Sequence, residues 1–236
     1  MCGRYCLFPD ENEEIRRILE EIDAQYGPEA VKTGEIFPTN PAPVLLPQGD
    51  GLQPCPMVWG FPKFGGKGVI INSRGETAAE KRMFRSSLLQ RRCAIPTTGF
   101  YEWDQEKKKY RFNLEGSSVL YLGGFYNLFE GKPRFVIITL AANPSVARVH
   151  HRMPLVLRQE DLFHWCGNSG AKAKNGSGFG ASERSGHSGP GAEDDHGRTT
   201  QARMVSPGRS QDEEGLPSSL DYLRHSPPAL VACEAT

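Results

Sequence analysis

The sequence predicts an α+β fold, in which a few helices accompany a curled, barrel-like and mostly antiparallel sheet. Two observations support this class: one amphipathic helical segment near the start of the chain, and many short β-branched runs broken by Pro and Gly. The chain of 236 residues is long enough for one good-sized domain. We expect that single domain over residues 1–165, followed by a tail over residues 166–236.

The helices are predicted from apolar spacing and from capping residues. In the first helix the apolar residues share one face: Ile15, Ile18, Leu19 and Ile22. Asp10 or Asn12 is expected to cap this helix, and Gly27 with the following proline to end it. A second helix is predicted over residues 76–89, and a third begins at Leu162.

The strands are predicted from short apolar runs whose lengths and β-branched content suit a sheet. They lie at residues 43–46, 57–59, 69–71, 93–95, 110–112, 119–123, 135–140 and 154–157.

The composition changes after Trp165. Residues 166–200 contain nine glycines and five serines, and Phe179 is their only large apolar residue. Such a segment cannot bury enough apolar surface to offset the entropy of ordering it, so we expect residues 166–236 to be mostly disordered. A shifted reading frame is the alternative explanation, and the domain would then be incomplete at its C-terminal side.

Charge is unevenly distributed although the net charge is zero. Residues 1–62 hold four Lys and Arg against ten Asp and Glu, whereas residues 63–111 hold twelve against five. The second stretch suits either a phosphate-binding surface or an ordinary solvated face.

The six cysteines are Cys2, Cys6, Cys55, Cys93, Cys166 and Cys233. They form no CxxC pair and have no His or Cys partners at zinc-site spacing, so we expect no metal and no other cofactor. No apolar run has the length of a signal peptide or a membrane span. We therefore expect a reduced, cytoplasmic, monomeric protein that does not bind membranes.

Cys2 is the first candidate for chemistry. Removal of Met1 would expose an α-amine with a pKa of about 8 beside a thiol of about 8.5. The amine can form a Schiff base with an aldehyde, and the thiol can then close a five-membered thiazolidine ring. An N-terminal nucleophile hydrolase is a second possibility, and a simply buried thiol is a third.

Three further segments carry candidate site residues. Asn72 and Arg74 lie between an apolar run and a helix, where Arg74 offers a planar fork of donors for phosphate; Glu76 suits the first helical turn. Glu102 is flanked by aromatic residues, which would raise its pKa and make it a general acid or base. His150 and its neighbour His151 would point to opposite faces of an extended chain, so that one of them reaches a site.

In this order, these segments resemble the SOS response-associated peptidase family, the abasic-site processing proteins. The resemblance covers about residues 2–165. Its matching pieces are Cys2-Gly3-Arg4, Pro38-Thr39-Asn40 with Pro43-Val44, Trp59-Gly60, Asn72-Ser73-Arg74 with Glu76-Thr77, Gly99-Phe100-Tyr101-Glu102-Trp103, and His150-His151-Arg152-Met153-Pro154.

The resemblance implies one α+β domain that removes its own Met1 and binds single-stranded DNA. It also implies a covalent thiazolidine between Cys2 and the ring-opened aldehyde of an abasic site. Catalysis would fall on Cys2, Glu102 and His150, and DNA binding on three residues: Arg4, Asn72 and Arg74. Such a protein would act in the cytoplasm of a bacterial-type cell, and it would be associated with the nucleoid when it is bound to DNA.

The C-terminal region departs from the family pattern, because the signature of the closing strand, Val-Ser followed by Val-Asn, is not found as a whole in residues 166–236. Two other functions therefore stay open beside the covalent one. The chain could be a non-covalent single-strand-binding or inactive product, or an N-terminal nucleophile amidohydrolase.

Overall fold

The computed structural model describes residues 2–114, 116, 119–167 and 230–235. These residues form five α-helices: α1 (Glu13–Tyr26), α2 (Gly75–Ala78), α3 (Arg82–Gln90), α4 (Pro144–Ala147) and α5 (Leu162–Cys166). They also form fifteen strands: β1 (Arg4–Leu7), β2 (Gly34–Ile36), β3 (Pro41–Gln48), β4 (Gly51–Trp59), β5 (Phe61–Pro62), β6 (Val69–Ile70), β7 (Asn72–Arg74), β8 (Arg92–Thr97), β9 (Gly99–Trp103), β10 (Lys109–Leu114), β11 (Leu120–Phe129), β12 (Lys132–Ala141), β13 (Arg152–Pro154), β14 (Val156–Leu157) and β15 (Leu230–Glu234).

A closed barrel of five strands forms the centre of the domain, in the order β12-β4-β3-β8-β11 and back to β12. Closure removes the open edges that a flat sheet of these strands would expose. Pairing is antiparallel except where β12 runs parallel to β4 and β7. The predicted α+β class with a curled, barrel-like sheet is confirmed, and each predicted apolar run lies in or beside an observed strand.

A second sheet, which we call the outer sheet, has the order β15-β10-β9-β1-β2. It packs on the barrel through large aromatic side chains. The ring of Tyr5 on β1 lies 5.1 Å from that of Trp59 on β4, and Trp59 stacks on Phe135 of β12. All three rings are fully buried, and burial of one such side chain contributes ~1.5–3 kcal/mol.

The segment at residues 230–234 departs from the expectation of a disordered tail. It forms β15, which pairs antiparallel with β10 from Leu114↔Leu230 to Tyr110↔Glu234. Leu230 is buried, and the exposed edge of β10 supplies the hydrogen-bonding partners that composition alone cannot reveal. Cys166, also assigned to the tail, is buried at the end of α5. The expectation for residues 168–229 lies outside the described part of the chain.

Helix α1 follows its prediction closely. Its buried face consists of the four predicted residues, Ile15, Ile18, Leu19 and Ile22. Asn12 is the N-cap, because its side-chain oxygen accepts a hydrogen bond from the backbone N–H of Ile15 at 3.0 Å. Gly27 ends the helix with a φ of 88°, a conformation that glycine adopts readily.

The prediction of one helix over residues 76–89 is wrong, since the structure has α2 and α3 with a break at residues 79–81. Lys81 has extended backbone, and the side chain of Arg85 donates to the freed carbonyl of Ala79. Residues 79–81 are good helix formers, so their local preference is overridden by tertiary packing. Ala78 and Phe84, on either side of the break, are both buried in the core.

Candidate active site

Cys2 lies just before β1 and is completely buried. The side-chain amide of Asn72 donates a hydrogen bond of 2.8 Å to the Cys2 carbonyl oxygen, while the Cys2 thiol lies 3.8 Å from the Arg4 carbonyl oxygen. Asn72 is fixed in turn because β7 pairs with β12 of the barrel, where Asn72 lies opposite Ile137. The backbone of Cys2 is thereby attached to the barrel.

Glu102 on β9 is the buried acid of the site, with 3 % of its surface exposed. Its strand begins at Gly99, where a Cβ would lie 2.9 Å from the backbone carbonyl oxygen of Phe112 on β10, so glycine lets β9 and β10 approach this closely. Burial raises the pKa of Glu102 to about 6, although the charges of the amino terminus and His151 act against the rise. A carboxyl of this pKa exchanges protons readily near neutral pH.

The charge of Glu102 acts on the Cys2 thiol. Burial raises the pKa of the Cys2 thiol well above its usual value, and the nearby Glu102 carboxylate raises it further. The thiol is therefore protonated at neutral pH, and it requires a base before it can act as a nucleophile. Glu102 is a base within electrostatic range.

His150 and His151 lie in the turn between α4 and β13, and their rings stack with centroids 4.4 Å apart. The prediction that they point to opposite faces is wrong, because this segment is a turn and not a strand. His150 Nδ1 lies 2.9 Å from the backbone nitrogen of Arg152 and 3.0 Å from its carbonyl oxygen, so the backbone of Arg152 holds the ring whether Nδ1 accepts or donates. Burial lowers the pKa of His150, so the neutral ring is favoured.

Arg152 is a site-supporting residue that the sequence reasoning did not single out. Its guanidinium binds both carboxylate oxygens of Glu76, at 2.6 and 2.9 Å, and donates to the Thr139 carbonyl oxygen at 2.6 Å. These hydrogen bonds lower the pKa of Glu76. Glu76 lies in the first turn of α2 as expected, and Arg152 joins that turn to the strand after the histidines. The sequence feature that could have identified Arg152 is its position directly after the candidate histidine His151.

Tyr5 is the second residue that was missed. Its hydroxyl is completely buried and has no hydrogen-bond partner among the described residues. Burial and the neighbouring Cys2 thiol raise its pKa well above the usual value. The sequence gives no indication that Tyr5 belongs to the site, because the orientation of its ring depends on packing against Trp59, which is distant in sequence.

The two arginines predicted to bind DNA have different neighbours. Arg4 forms an ion pair with Glu35 at 3.1 Å, and its guanidinium stacks over the ring of Phe37 at 3.9 Å. Arg74 is exposed at the end of β7, where its positive charge lowers the pKa of Glu76. The structure therefore collects Cys2, Asn72, Glu102 and the His150 turn, with the arginines at the periphery.

An open cleft of about 470 Å³ adjoins the site. Trp103, which follows Glu102 on β9, forms one wall with the turn after it, and the segment from Ala147 to His151 forms the other. This cleft gives a ligand access to the histidine turn. Within the described ranges, no group of three His, Cys, Asp or Glu side chains is arranged to hold a metal ion. No helix of those ranges is long and apolar enough to span a bilayer.

The barrel and its site define a class: β-barrel proteins in which a cysteine near the amino end is anchored beside a buried carboxyl. A family model identifies the members more closely. The model for SOS response associated peptidase (SRAP) matches residues 1–180, and the chain belongs to this family.

Individual relatives agree with this assignment. The chain is 34% identical over 187 residues to the abasic site processing protein YoqW of Bacillus subtilis, with 70% of this chain and 80% of the relative covered. It is 29% identical to the abasic site processing protein YedK of Escherichia coli, with 70% and 79% covered. A solved protein from Bacteroides thetaiotaomicron has the same fold, with a TM-score of 0.59 at 22% identity over 72% of this chain and 83% of that one.

Proposed function

We propose that this protein captures abasic sites in single-stranded DNA by a covalent bond to Cys2. The observation that carries the proposal is the placement of the buried Cys2 thiol within electrostatic range of a buried carboxyl whose pKa is about 6, on a residue whose backbone carbonyl oxygen is held by Asn72. The names of the relatives support an abasic-site substrate.

The first step frees the α-amine of Cys2 by removal of Met1, which we propose the chain performs itself. The Cys2 thiol attacks the Met1 carbonyl carbon, the peptide nitrogen leaves as the free amine, and water hydrolyses the resulting thioester. Glu102 accepts the thiol proton and returns it to the leaving nitrogen.

The second step captures the aldehyde. The Cys2 amine adds to the carbonyl carbon of the ring-opened sugar, and loss of one water gives an imine. The sulfur then adds to the imine carbon and closes a thiazolidine, while the thiol proton moves through Glu102 to the ring nitrogen. No redox partner is needed, because the net reaction joins amine, thiol and aldehyde and releases one water.

The other site residues have supporting tasks in this proposal. His150 Nε2 assists opening of the sugar ring, and it can also assist reversal of the adduct. Asn72 holds Cys2, while Arg4 and Arg74 bind flanking phosphates. Phe64, 97% exposed between Lys63 and Lys67, is available to stack on an unpaired base, which would contribute ~1–3 kcal/mol.

The test mixes purified protein, with loss of Met1 verified by intact mass, with a single-stranded oligonucleotide that carries one abasic site. We expect an adduct that survives heat and SDS, and we expect Cys2→Ser to abolish it. Cys6→Ser is the matched control, because Cys6 is also buried on β1 but its thiol binds the Gly99 carbonyl oxygen at 3.2 Å. An adduct that survives Cys2→Ser, or a wild-type complex that SDS dissociates, would refute covalent capture through Cys2.

A further inference from the structure

Glu35 is an acid enclosed by two cations. It lies on β2, an edge strand of the outer sheet. One carboxylate oxygen lies 3.1 Å from Arg4 Nη1, and the other accepts a hydrogen bond from Lys109 Nζ. The three side chains are 22–29% exposed, so they are accessible from solvent. Burial by itself would raise the pKa of Glu35, but Lys109 and Arg4 outweigh it and lower the pKa, so the group is ionised at neutral pH.

The two cations also lie on aromatic rings. Arg4 is 3.9 Å from the centroid of Phe37 and 5.4 Å from that of Trp103, and Lys109 Nζ is 4.2 Å from that of Tyr101. We call this set the cation–aromatic strip: Arg4, Glu35, Phe37, Tyr101, Trp103 and Lys109. A surface on which cations alternate with aromatic rings is typical of proteins that bind unpaired nucleic acid, because phosphates pair with the cations and bases stack on the rings.

The strip leads to the candidate active site. Trp103 belongs both to the strip and to the wall of the cleft that His150 and His151 line. Glu102 precedes Trp103 on the same strand. A strand that crosses the strip would therefore pass beside the residues proposed to react.

We propose that Glu35 is a specificity-determining residue, which weakens the binding of intact single strands by occupying Arg4 and Lys109. This inference rests on the proposed function. A phosphate that approaches either cation must displace a carboxylate already bound there, so an intact strand gains few new ion pairs. An abasic strand is retained regardless, because its capture at Cys2 is covalent. Because of Glu35, intact and abasic strands are distinguished by the covalent reaction at Cys2 and not by the strength of the initial binding.

The test is the affinity for an intact oligothymidylate as a function of salt, with Glu35→Gln compared to wild type. Gln has the same shape but no charge, so the fold is retained, which a thermal melt verifies. We expect about fivefold tighter binding at low salt, the size of one freed surface ion pair. We also expect the slope of log K against log salt to become steeper by about 0.7 for each phosphate newly bound.

Two further variants separate the local effect from net charge and from misfolding. Glu20→Gln removes the same charge from the exposed face of α1 and should change neither affinity nor slope. Glu35→Asp, one methylene shorter, cannot reach both cations and should give an intermediate gain. Adding Lys109→Met to Glu35→Gln should remove part of the gain.

The outcomes distinguish this inference from the function on which it rests. Equal affinities and slopes for wild type and Glu35→Gln would overturn the role of Glu35, and so would an equal gain in Glu20→Gln. Neither result depends on an adduct, since the oligothymidylate contains no abasic site. Failure of wild type to form a Cys2-dependent adduct would instead overturn the proposed function.

Discussion

The amide of Asn72 holds the carbonyl oxygen of Cys2 at 2.8 Å, across 70 residues of sequence. Cys2 precedes β1 and has no strand partner in the outer sheet, whose register with β9 begins at Arg4. The contact with Asn72 therefore connects the end of the outer sheet to the barrel. It sets where the backbone of the proposed nucleophile lies.

Replacement of Asn72 should slow adduct formation without unfolding the protein. Loss of a partly buried hydrogen bond costs ~1–3 kcal/mol, so we expect Asn72→Ala to lower the initial rate by about 5- to 150-fold. Denaturing gels over a time course measure this rate. Asn127→Ala is the control, because Asn127 Oδ1 accepts a hydrogen bond from the backbone N–H of its neighbour Leu128 at a solvent-exposed position. An unchanged rate in Asn72→Ala would contradict the positioning role.

Glu102→Gln should remove a pH dependence. In wild type the rate should rise with pH through about 6, as the carboxyl becomes the base that accepts the Cys2 proton. In Glu102→Gln that inflection should be absent and the rate about 10²–10⁴-fold lower. Rates measured from pH 5 to 8 decide this. An inflection near pH 6 that persists in the variant would assign it to another group.

Although Glu102→Gln should slow the reaction, it should stabilise the folded protein at neutral pH. The folded-state pKa of Glu102 is raised, so the folded protein binds this proton more tightly than the unfolded chain does. The contribution to stability is complete below pH 4.5 and is lost as pH rises through about 6. Glu102→Gln should therefore be the more stable protein at pH 7.5, by ~1–2 kcal/mol, and not at pH 4.5. Urea titrations at both pH values test this.

His150 should titrate below the usual pH of a histidine. Burial lowers its pKa from 6.5, so the ring stays neutral at pH 7. A pH titration of the imidazole proton resonances, assigned with His150→Gln, measures the midpoint. The same variant should slow capture by about 10²-fold if Nε2 transfers a proton. A midpoint at or above pH 6.5 would show that the imidazolium is not disfavoured.

Tyr5→Phe should not destabilise the protein. The Tyr5 hydroxyl is buried without a partner among the described residues, so its removal should be neutral or stabilising by up to ~1 kcal/mol. Tyr121→Phe is the matched control, because the Tyr121 hydroxyl donates to the Glu14 carboxylate and its loss should cost ~1 kcal/mol. Free energies of unfolding compare the two. A loss in Tyr5→Phe as large as that in Tyr121→Phe would reveal a partner for the Tyr5 hydroxyl.

Strand β15 should stabilise the edge of β10. Leu230 is buried, and we expect Leu230→Ala to cost ~2 kcal/mol and to speed hydrogen exchange of the β10 amides. Val231, the next residue, is 41% exposed, so Val231→Ala should change stability by less than ~0.5 kcal/mol. Equal effects of the two substitutions would mean that residues 230–234 do not pair with β10 in solution.

The sequence by itself determined the elements whose signal is local. The spacing of four apolar residues defined the buried face of α1, and short β-branched runs located the strands of the barrel. The ordered motifs also identified four candidate site residues: Cys2, Asn72, Glu102 and His150. Each belongs to a short sequence motif that can be recognised without knowledge of its tertiary contacts.

Tertiary structure alone decided how these segments meet. Barrel closure requires β12 to pair with both β11 and β4, and the break between α2 and α3 depends on how Ala78 and Phe84 pack. The pairing of Glu35 with Arg4 and Lys109, and that of β15 with β10, join residues between 31 and about 120 positions apart. Periodicity reports the environment of a residue within a few positions, whereas contacts at these separations depend on the packing of the whole domain.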